Sequence, residues 1–462
     1  VDTGSDRLLE KRRMRRLAGG VAAVVVLAVL AGCAHGPERP AVTEPYLVVW
    51  AGDADRQDSD FLAVIDANPT SATYGKVLRT IPVRSRGNDP RGLDAALRED
   101  RRVFATGVAS GRTFVFDLRD PLAGRLLHVD EPGPGRRLAA PWAVASLPDG
   151  RAAVTCVDRV GYRGGPREVL QQAGGLLELD AEGRFRREVS ADPGPDHTLI
   201  VAPTGAAVVS ALGLLVTTNH AHGYVPTAAG EVMPGISVQV WRLANLALLR
   251  TVVLEAGPRG EENLGPLTPV AFHRTPVVYV NTHEGGGLYA SDSLGQVEPV
   301  FRLVFDFAAG AGAAGAAVTP DDAYYVTALT GRNRVASFDV HDPWHPKLVS
   351  ALRFDRDPAD PLKARVGGPS ALAMSADGTR FAVADDAVEL PAERREGDHR
   401  VYLLLLDPAT GRLRFDPAFR DETTGEVGVD FARSRWPHGE TGPARPYGVL
   451  FVAPAPPPAD RS

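Results

Sequence analysis

The sequence predicts an all-β protein, a seven-bladed β-propeller preceded by an export signal and a short tether, and three observations lead there. A short apolar strand recurs seven times: residues 46–52 (YLVVWAG), 102–108 (RVFATGV), 151–157 (RAAVTCV), 213–219 (GLLVTTN), 276–282 (PVVYVNT), 323–329 (AYYVTAL) and 380–386 (RFAVADD). Each is rich in Val, Tyr, Phe or Thr, and several follow a tight-turn signal such as LPDG ending at Gly150 or SADG ending at Gly378. Each is followed by a partner strand: residues 60–66, 112–118, 174–180, 238–244, 286–292, 334–340 and 400–406. The repeat spacing is 47 to 63 residues and holds only strands. A lone four-stranded blade cannot bury both faces and must stack on its neighbours, so such a series closes into a ring.

In chain order, the amino terminus comes first. Arg12, Arg13, Arg15 and Arg16 precede an apolar run from Leu17 to Leu30, and the run ends in Leu30-Ala31-Gly32-Cys33. A charged region followed by a short apolar region reads as an export signal over residues 1–33, with Met14 a candidate start. The run falls short of the roughly 20 residues of a membrane span. The Leu-Ala-Gly-Cys ending resembles the bacterial lipobox, which implies lipid on the Cys33 thiol and cleavage ahead of it; an uncleaved membrane anchor is the alternative. Either way the body sits in the cell envelope, outside the cytoplasmic membrane. Residues 34–45 read as a tether, residues 46–452 as the propeller and residues 453–462 (APAPPPADRS) as a disordered tail.

The formal net charge is −6, and the six basic and three acidic side chains of residues 1–33 leave the remainder at −9. An acidic body repels phosphates, which excludes nucleic acid as a partner and leaves a small ligand or an envelope protein. The body holds one cysteine, Cys156, so no intrachain disulfide is available to it.

In antiparallel blades the loop after the second strand and the loop entering the next blade emerge on one face. Two neighbouring units place histidines there, in Thr217-Thr218-Asn219-His220-Ala221-His222 and in Asn281-Thr282-His283-Glu284. Imidazoles from adjacent blades with a carboxylate suit zinc or copper, so His220, His222, His283 and Glu284 are candidate metal ligands. Polar loop residues bonded to backbone are the competing explanation.

The stretch TPDDAYYVTALTGRNRVASFDVHDPWHPKLVSAL (residues 319–352) carries Asp339-Val340-His341-Asp342-Pro343 and His345-Pro346-Lys347-Leu348. Residues 60–83, the Gly-Gly-Pro within residues 366–385, and Arg435-Trp436-Pro437 add to this frame. Together they resemble the selenium-binding protein family, which includes methanethiol oxidases, over residues 45 to 440. The resemblance implies a seven-bladed propeller and, in enzyme members, copper-dependent oxidation of methanethiol to formaldehyde, hydrogen sulfide and hydrogen peroxide. The chain departs from the family at its functional residues. No histidine lies between Gly36 and Leu127, where the family's paired histidine should fall; RRLAAPW (residues 136–142) lacks a second. The Trp-Leu-His-Gly-Asp loop has become Ala328-Leu329-Thr330-Gly331-Arg332, and the Cys-Ser-Ser-Cys motif is missing. Only His273, in Ala271-Phe272-His273-Arg274, lies close to a family histidine, which adds it to the candidate ligands. Losing several ligands together removes the inherited copper site.

Residues 310–315 (GAGAAG) fit a dinucleotide fingerprint, but Thr319-Pro320-Asp321-Asp322 leads into a strand where a phosphate-binding helix is required. The aspartates of VFDLRD, SFDVHD and LLLLDP read as turn formers because they recur from unit to unit. The leading expectation is an exported, lipid-anchored propeller that binds a small ligand, a metal or a protein partner on its channel face. A small-thiol oxidase with a relocated metal site, and a non-catalytic envelope scaffold, are the alternatives.

Overall fold

The computed structural model of the chain describes residues 42–94, 97–159, 173–194, 201–224, 232–386 and 397–456. The predicted signal with Cys33, most of the tether and the last six residues of the tail lie outside the described residues. Thr43–Ser462 forms one compact unit of seven antiparallel sheets. Blade 4 shows the pattern: Pro203–Val209 innermost, then Leu214–Tyr224, Val232–Arg242 and Ala247–Val253. Blades 2, 3, 5, 6 and 7 repeat it with the innermost strands Pro90–Leu93, Leu138–Ser146, Pro266–Ala271, Ala313–Val318 and Pro369–Met374. The predicted strands are therefore mostly the second and third of each blade. GAGAAG, set aside as a nucleotide loop, leads into the innermost strand of blade 6.

Blade 1 takes its innermost strand from the other end of the chain. Ala444–Val452 pairs antiparallel with Tyr46–Asp53, from Tyr46 opposite Val452 to Asp53 opposite Ala444. Each innermost strand touches the next, from blade 1 round to blade 7 and back, which makes the ring continuous. Seven apolar clusters fill the gaps between adjacent blades. Between blades 1 and 2, for example, Val48, Trp50, Leu62 and Val64 meet Val103, Ala105, Phe114 and Phe116, all fully buried. Removing any blade would expose two such faces.

The innermost strands are bulged where they begin, and one device satisfies the displaced backbone. In blade 4 the register shifts between Pro203 and Ala206, and the Gly205 N–H donates to Thr218 Oγ1 (3.0 Å). That hydroxyl donates onward to the Leu267 carbonyl of blade 5 (2.6 Å). Thr106 links Gly92 N–H to the Trp142 carbonyl, and Thr155 links Ala143 N–H to the Thr204 carbonyl, in the same way. In blade 5 the Asn281 amide replaces the hydroxyl, accepting from Thr268 N–H (3.0 Å) and donating to the Ala314 carbonyl (2.7 Å). Proline opens these strands in blades 2, 4, 5 and 7, where a missing N–H costs no ladder bond. A Cβ on Gly205 would sit 2.1 Å from the Leu267 carbonyl oxygen, so the close approach of blades 4 and 5 requires glycine there.

The recurrent aspartates are turn formers. Asp66, Asp117, Asp339 and Asp407 each accept from the N–H two residues on, at 2.9–3.1 Å. Cys156 is a fully buried thiol, and burial pushes its pKa far above the ordinary range, which makes it inert.

Candidate metal centre on one face of the ring

The register of the innermost strands sets which side chains reach the ring face. Pro203 lies opposite Asn219, Pro266 opposite Thr282, Ala313 opposite Leu329 and Pro369 opposite Asp385. One residue further along the chain stand His220, within its strand, and His283, Thr330 and Asp386, just past the ends of theirs. Blades 4 and 5 thus present imidazoles at equivalent positions on adjacent units, and Glu284 follows His283 directly.

His220 does not lie in a loop, as the sequence suggested. The second strand of blade 4 continues to Tyr224, and a register irregularity falls between Asn219 and Ala221. An irregularity of this kind re-aims the side chain at the break, and His220 occupies it. The His220 N–H is tied to Thr204 Oγ1 (3.3 Å), and the His283 N–H donates to the Gly265 carbonyl (2.7 Å).

His220, His283 and Glu284 converge, each offering a ligand atom within 4.8 Å of the others. The rings are 5.5 Å apart between centroids and inclined at 79°. His220 Nε2 lies 3.0 Å from Glu284 Oε1, and His283 Nδ1 lies 3.3 Å from the same oxygen. The 3.0 Å approach is an ion-pair distance without hydrogen-bond alignment, so Nε2 of His220 is a buried nitrogen with no hydrogen-bond partner. Oε2 of Glu284 is likewise buried and unpartnered. A buried carboxylate oxygen without a donor, beside an imidazole nitrogen whose lone pair can ligate, is costly unless a cation binds there. Burial acts to raise the Glu284 pKa, but the adjacent imidazoles of His220 and His283 prevail and hold its carboxyl down at about 2.

Gly265, which sequence reasoning missed, makes room for this cradle. It has φ +68°, and a Cβ there would lie 1.5 Å from Glu284 Oε2. The signal was the Leu264-Gly265-Pro266 step entering an innermost strand.

The remaining candidates are placed as follows. His222 lies in the same strand, opposite Met233, with its side chain outside the described residues. His273 is not part of the group. It sits at the other end of blade 5, beyond Ala271, where its N–H donates to Asp322 Oδ1 (2.7 Å) and its Nε2 lies 3.1 Å from the Val318 carbonyl. Its role there is to brace the turn against blade 6. The family-like segment with His341 and His345 is a surface turn in which each imidazole bonds a neighbouring aspartate, Asp339 and Asp342.

Two imidazoles and one carboxylate form a donor set found in catalytic zinc sites, where three protein ligands leave a fourth position open. Bonds of roughly 2.0–2.2 Å in tetrahedral geometry place ligand atoms about 3.4 Å apart, so a spread of up to 4.8 Å needs a side-chain closure of about 1.4 Å. The residues fit a transition metal.

No protein-family model matches the chain. A methanethiol oxidase of Ruegeria pomeroyi is 35% identical over 101 residues, covering 20% of this chain and 22% of that protein. One from a Hyphomicrobium species is 36% identical over 89 residues, covering 18% and 19%. The match spans only about a fifth of the length of these curated relatives. Among solved structures, a hypothetical selenium-binding protein from Sulfolobus tokodaii has TM-score 0.70 at 18% identity, covering 89% of this chain and 94% of that one. A periplasmic gluconolactonase from Pseudomonas aeruginosa has TM-score 0.58 at 14% identity, covering 88% and 99%. At such identities these structures share the fold. The chain is thus similar in part of its sequence to methanethiol oxidases and in its fold to a selenium-binding protein.

Proposed function

We propose that the chain is an envelope β-propeller that binds one zinc or copper ion through His220, His283 and Glu284 and presents the ion's open position to a small ligand on the ring face. The observation that carries this reading is the convergence of three ligand atoms from adjacent blades within 4.8 Å, with Glu284 Oε2 buried and unpartnered beside them. A bound ion would supply Lewis acidity toward a ligand oxygen or sulfur. The chain's own residues do the positioning: the strand break aims His220, and Gly265 leaves the space into which Glu284 turns. Elemental analysis of the purified full chain tests this reading. One equivalent of zinc or copper is expected, lost in His220→Ala and in His283→Ala; a metal-free wild type that takes up neither ion would contradict it.

A second reading, oxidation of a small thiol, is favoured by the 35% identity with a methanethiol oxidase. It requires the relocated site to replace the family histidines that the sequence lacks. Copper-loaded protein supplied with methanethiol and oxygen would then release hydrogen peroxide, and His283→Ala would not. Export and lipid attachment at Cys33 belong to the same proposal, through the lipobox-like Leu30-Ala31-Gly32-Cys33. Radiolabelled fatty acid incorporated by wild type and lost in Cys33→Ala supports attachment; equal labelling of both refutes it.

A further inference from the structure

A second site opens on the same ring face, at blades 1 and 2. It is a cavity of about 340 Å³ lined by the starts of two innermost strands and the end of Tyr46–Asp53. That volume lies at the lower end of the roughly 300–1,000 Å³ of small-molecule pockets, so the occupant is small. The lining is polar: Arg56, Arg91, Arg445 and Tyr447 face Asp53, Asp60 and Asp89.

The carboxylates already have work. Asp53 Oδ2 accepts from the N–H groups of Gln57 and Asp58, both at 2.8 Å. Asp60 accepts from Asp53 N–H (2.9 Å) and from the Asn88 backbone and side-chain amides (both 2.8 Å). These bonds hold the loops that shape the cavity. Asp89 pairs with Arg91 Nη2 at 3.2 Å.

Arg91 is built differently from a surface arginine. Its side chain is only 12% exposed, and its guanidinium carbon lies 4.7 Å from the ring centroid of Tyr447 and 5.7 Å from that of Trp142. Those rings come from the innermost strands of blades 1 and 3, so three successive strands bring one cation against two aromatic side chains. The two rings pack against the guanidinium, whose hydrogen-bond donors lie along its edge. Asp89 takes Nη2, and Nη1 makes a long bond to the Pro90 carbonyl (3.4 Å). Nε is buried and has no partner. Nε is closed off from the cavity, which leaves Nη1 as the weakly engaged donor, and a delocalised planar cation is matched by a planar carboxylate.

We propose that this cavity binds a small organic carboxylate, held by the edge of the Arg91 guanidinium. The site is independent of the metal reading, since none of the three metal ligands lines it.

Tryptophan emission of the detergent-solubilised full chain, kept in chelator so that no metal contributes, is titrated with pyruvate, succinate, glycine and inorganic phosphate. A saturable change with at least one carboxylate and none with phosphate is expected. Arg91→Lys, which keeps the charge but loses the planar edge, should weaken binding about tenfold or more. In wild type, the same carboxylate should also slow modification of Arg91 by phenylglyoxal, read by mass spectrometry, which keeps the test informative where a variant fails to fold. Absence of saturable carboxylate binding, unchanged affinity in a folded Arg91→Lys protein, or equal binding of phosphate would overturn the proposal.

Discussion

At the scale of single residues, the candidate metal centre depends on a glycine as much as on its ligands. Gly265→Ala places a methyl group on Glu284 Oε2 and strains a backbone at φ +68°, so metal stoichiometry should fall well below one per chain. The strain alone should cost on the order of 1–3 kcal/mol of stability. Full metal occupancy in that variant would show that Glu284 does not turn toward Gly265. A different residue, Asp94, makes its own contribution to the acid side of the stability profile. Burial, opposed by hydrogen bonds from Ser146 and the Phe104 N–H, raises the Asp94 pKa to about 6 from its ordinary 3.8. Between those values the native state holds a proton that the unfolded chain has released. The Asp94 contribution to stability should therefore fall as pH rises from about 4 to about 6, by on the order of 3 kcal/mol, and Asp94→Asn should remove that component of the slope. Denaturant unfolding across the range checks it; an unchanged slope in the variant would assign the effect elsewhere. The histidines at 220 and 283 were legible in the sequence because each follows the apolar, threonine-containing run of a second strand at the same offset, in adjacent units. Gly265 was not, because its contribution is space, which no residue pattern records. His273 was misassigned because similarity along a chain does not tell which end of a blade a residue occupies.

At the scale of elements, the second and third strands announced themselves by apolar content, whereas the innermost strands did not. Sequences such as PRGL and PTGAAVV carry few large apolar residues, since their neighbours are backbone groups packed too closely for bulk. Their legibility lies in the opening proline and in the threonine or asparagine of the following strand, whose side chain bridges two blades. Thr218→Val keeps shape and removes the hydroxyl, leaving the Gly205 N–H and the Leu267 carbonyl without this partner. A loss of about 1–3 kcal/mol is expected by denaturant unfolding, against less than about 0.5 kcal/mol for Val at an exposed threonine. Equal small losses would mean that water or a shifted strand satisfies the bulge. The break at His220 was also invisible in the sequence, because irregular register is a property of the strand pair.

At the scale of the whole molecule, closure depends on a strand drawn from the far end of the chain. Truncation before Ala444 removes the innermost strand of blade 1 and exposes Trp50, Leu47 and Val49 to water. A truncated chain should fail to accumulate as a monomer and should lose its cooperative melt; a truncated monomer with a wild-type melt would contradict closure by this strand. The count of seven units followed from the repeat alone, but which strand closed the ring did not, since Ala444–Val452 stands apart from the repeat it completes. That ring brings residues 220 and 283, on separate units, to one centre. X-ray absorption at the metal edge of the loaded full chain addresses this directly. Two imidazole nitrogens and one carboxylate oxygen at roughly 2.0–2.2 Å are expected, with one imidazole lost in His220→Ala and one in His283→Ala. A spectrum with no imidazole scattering, or one that neither substitution changes, would contradict the account.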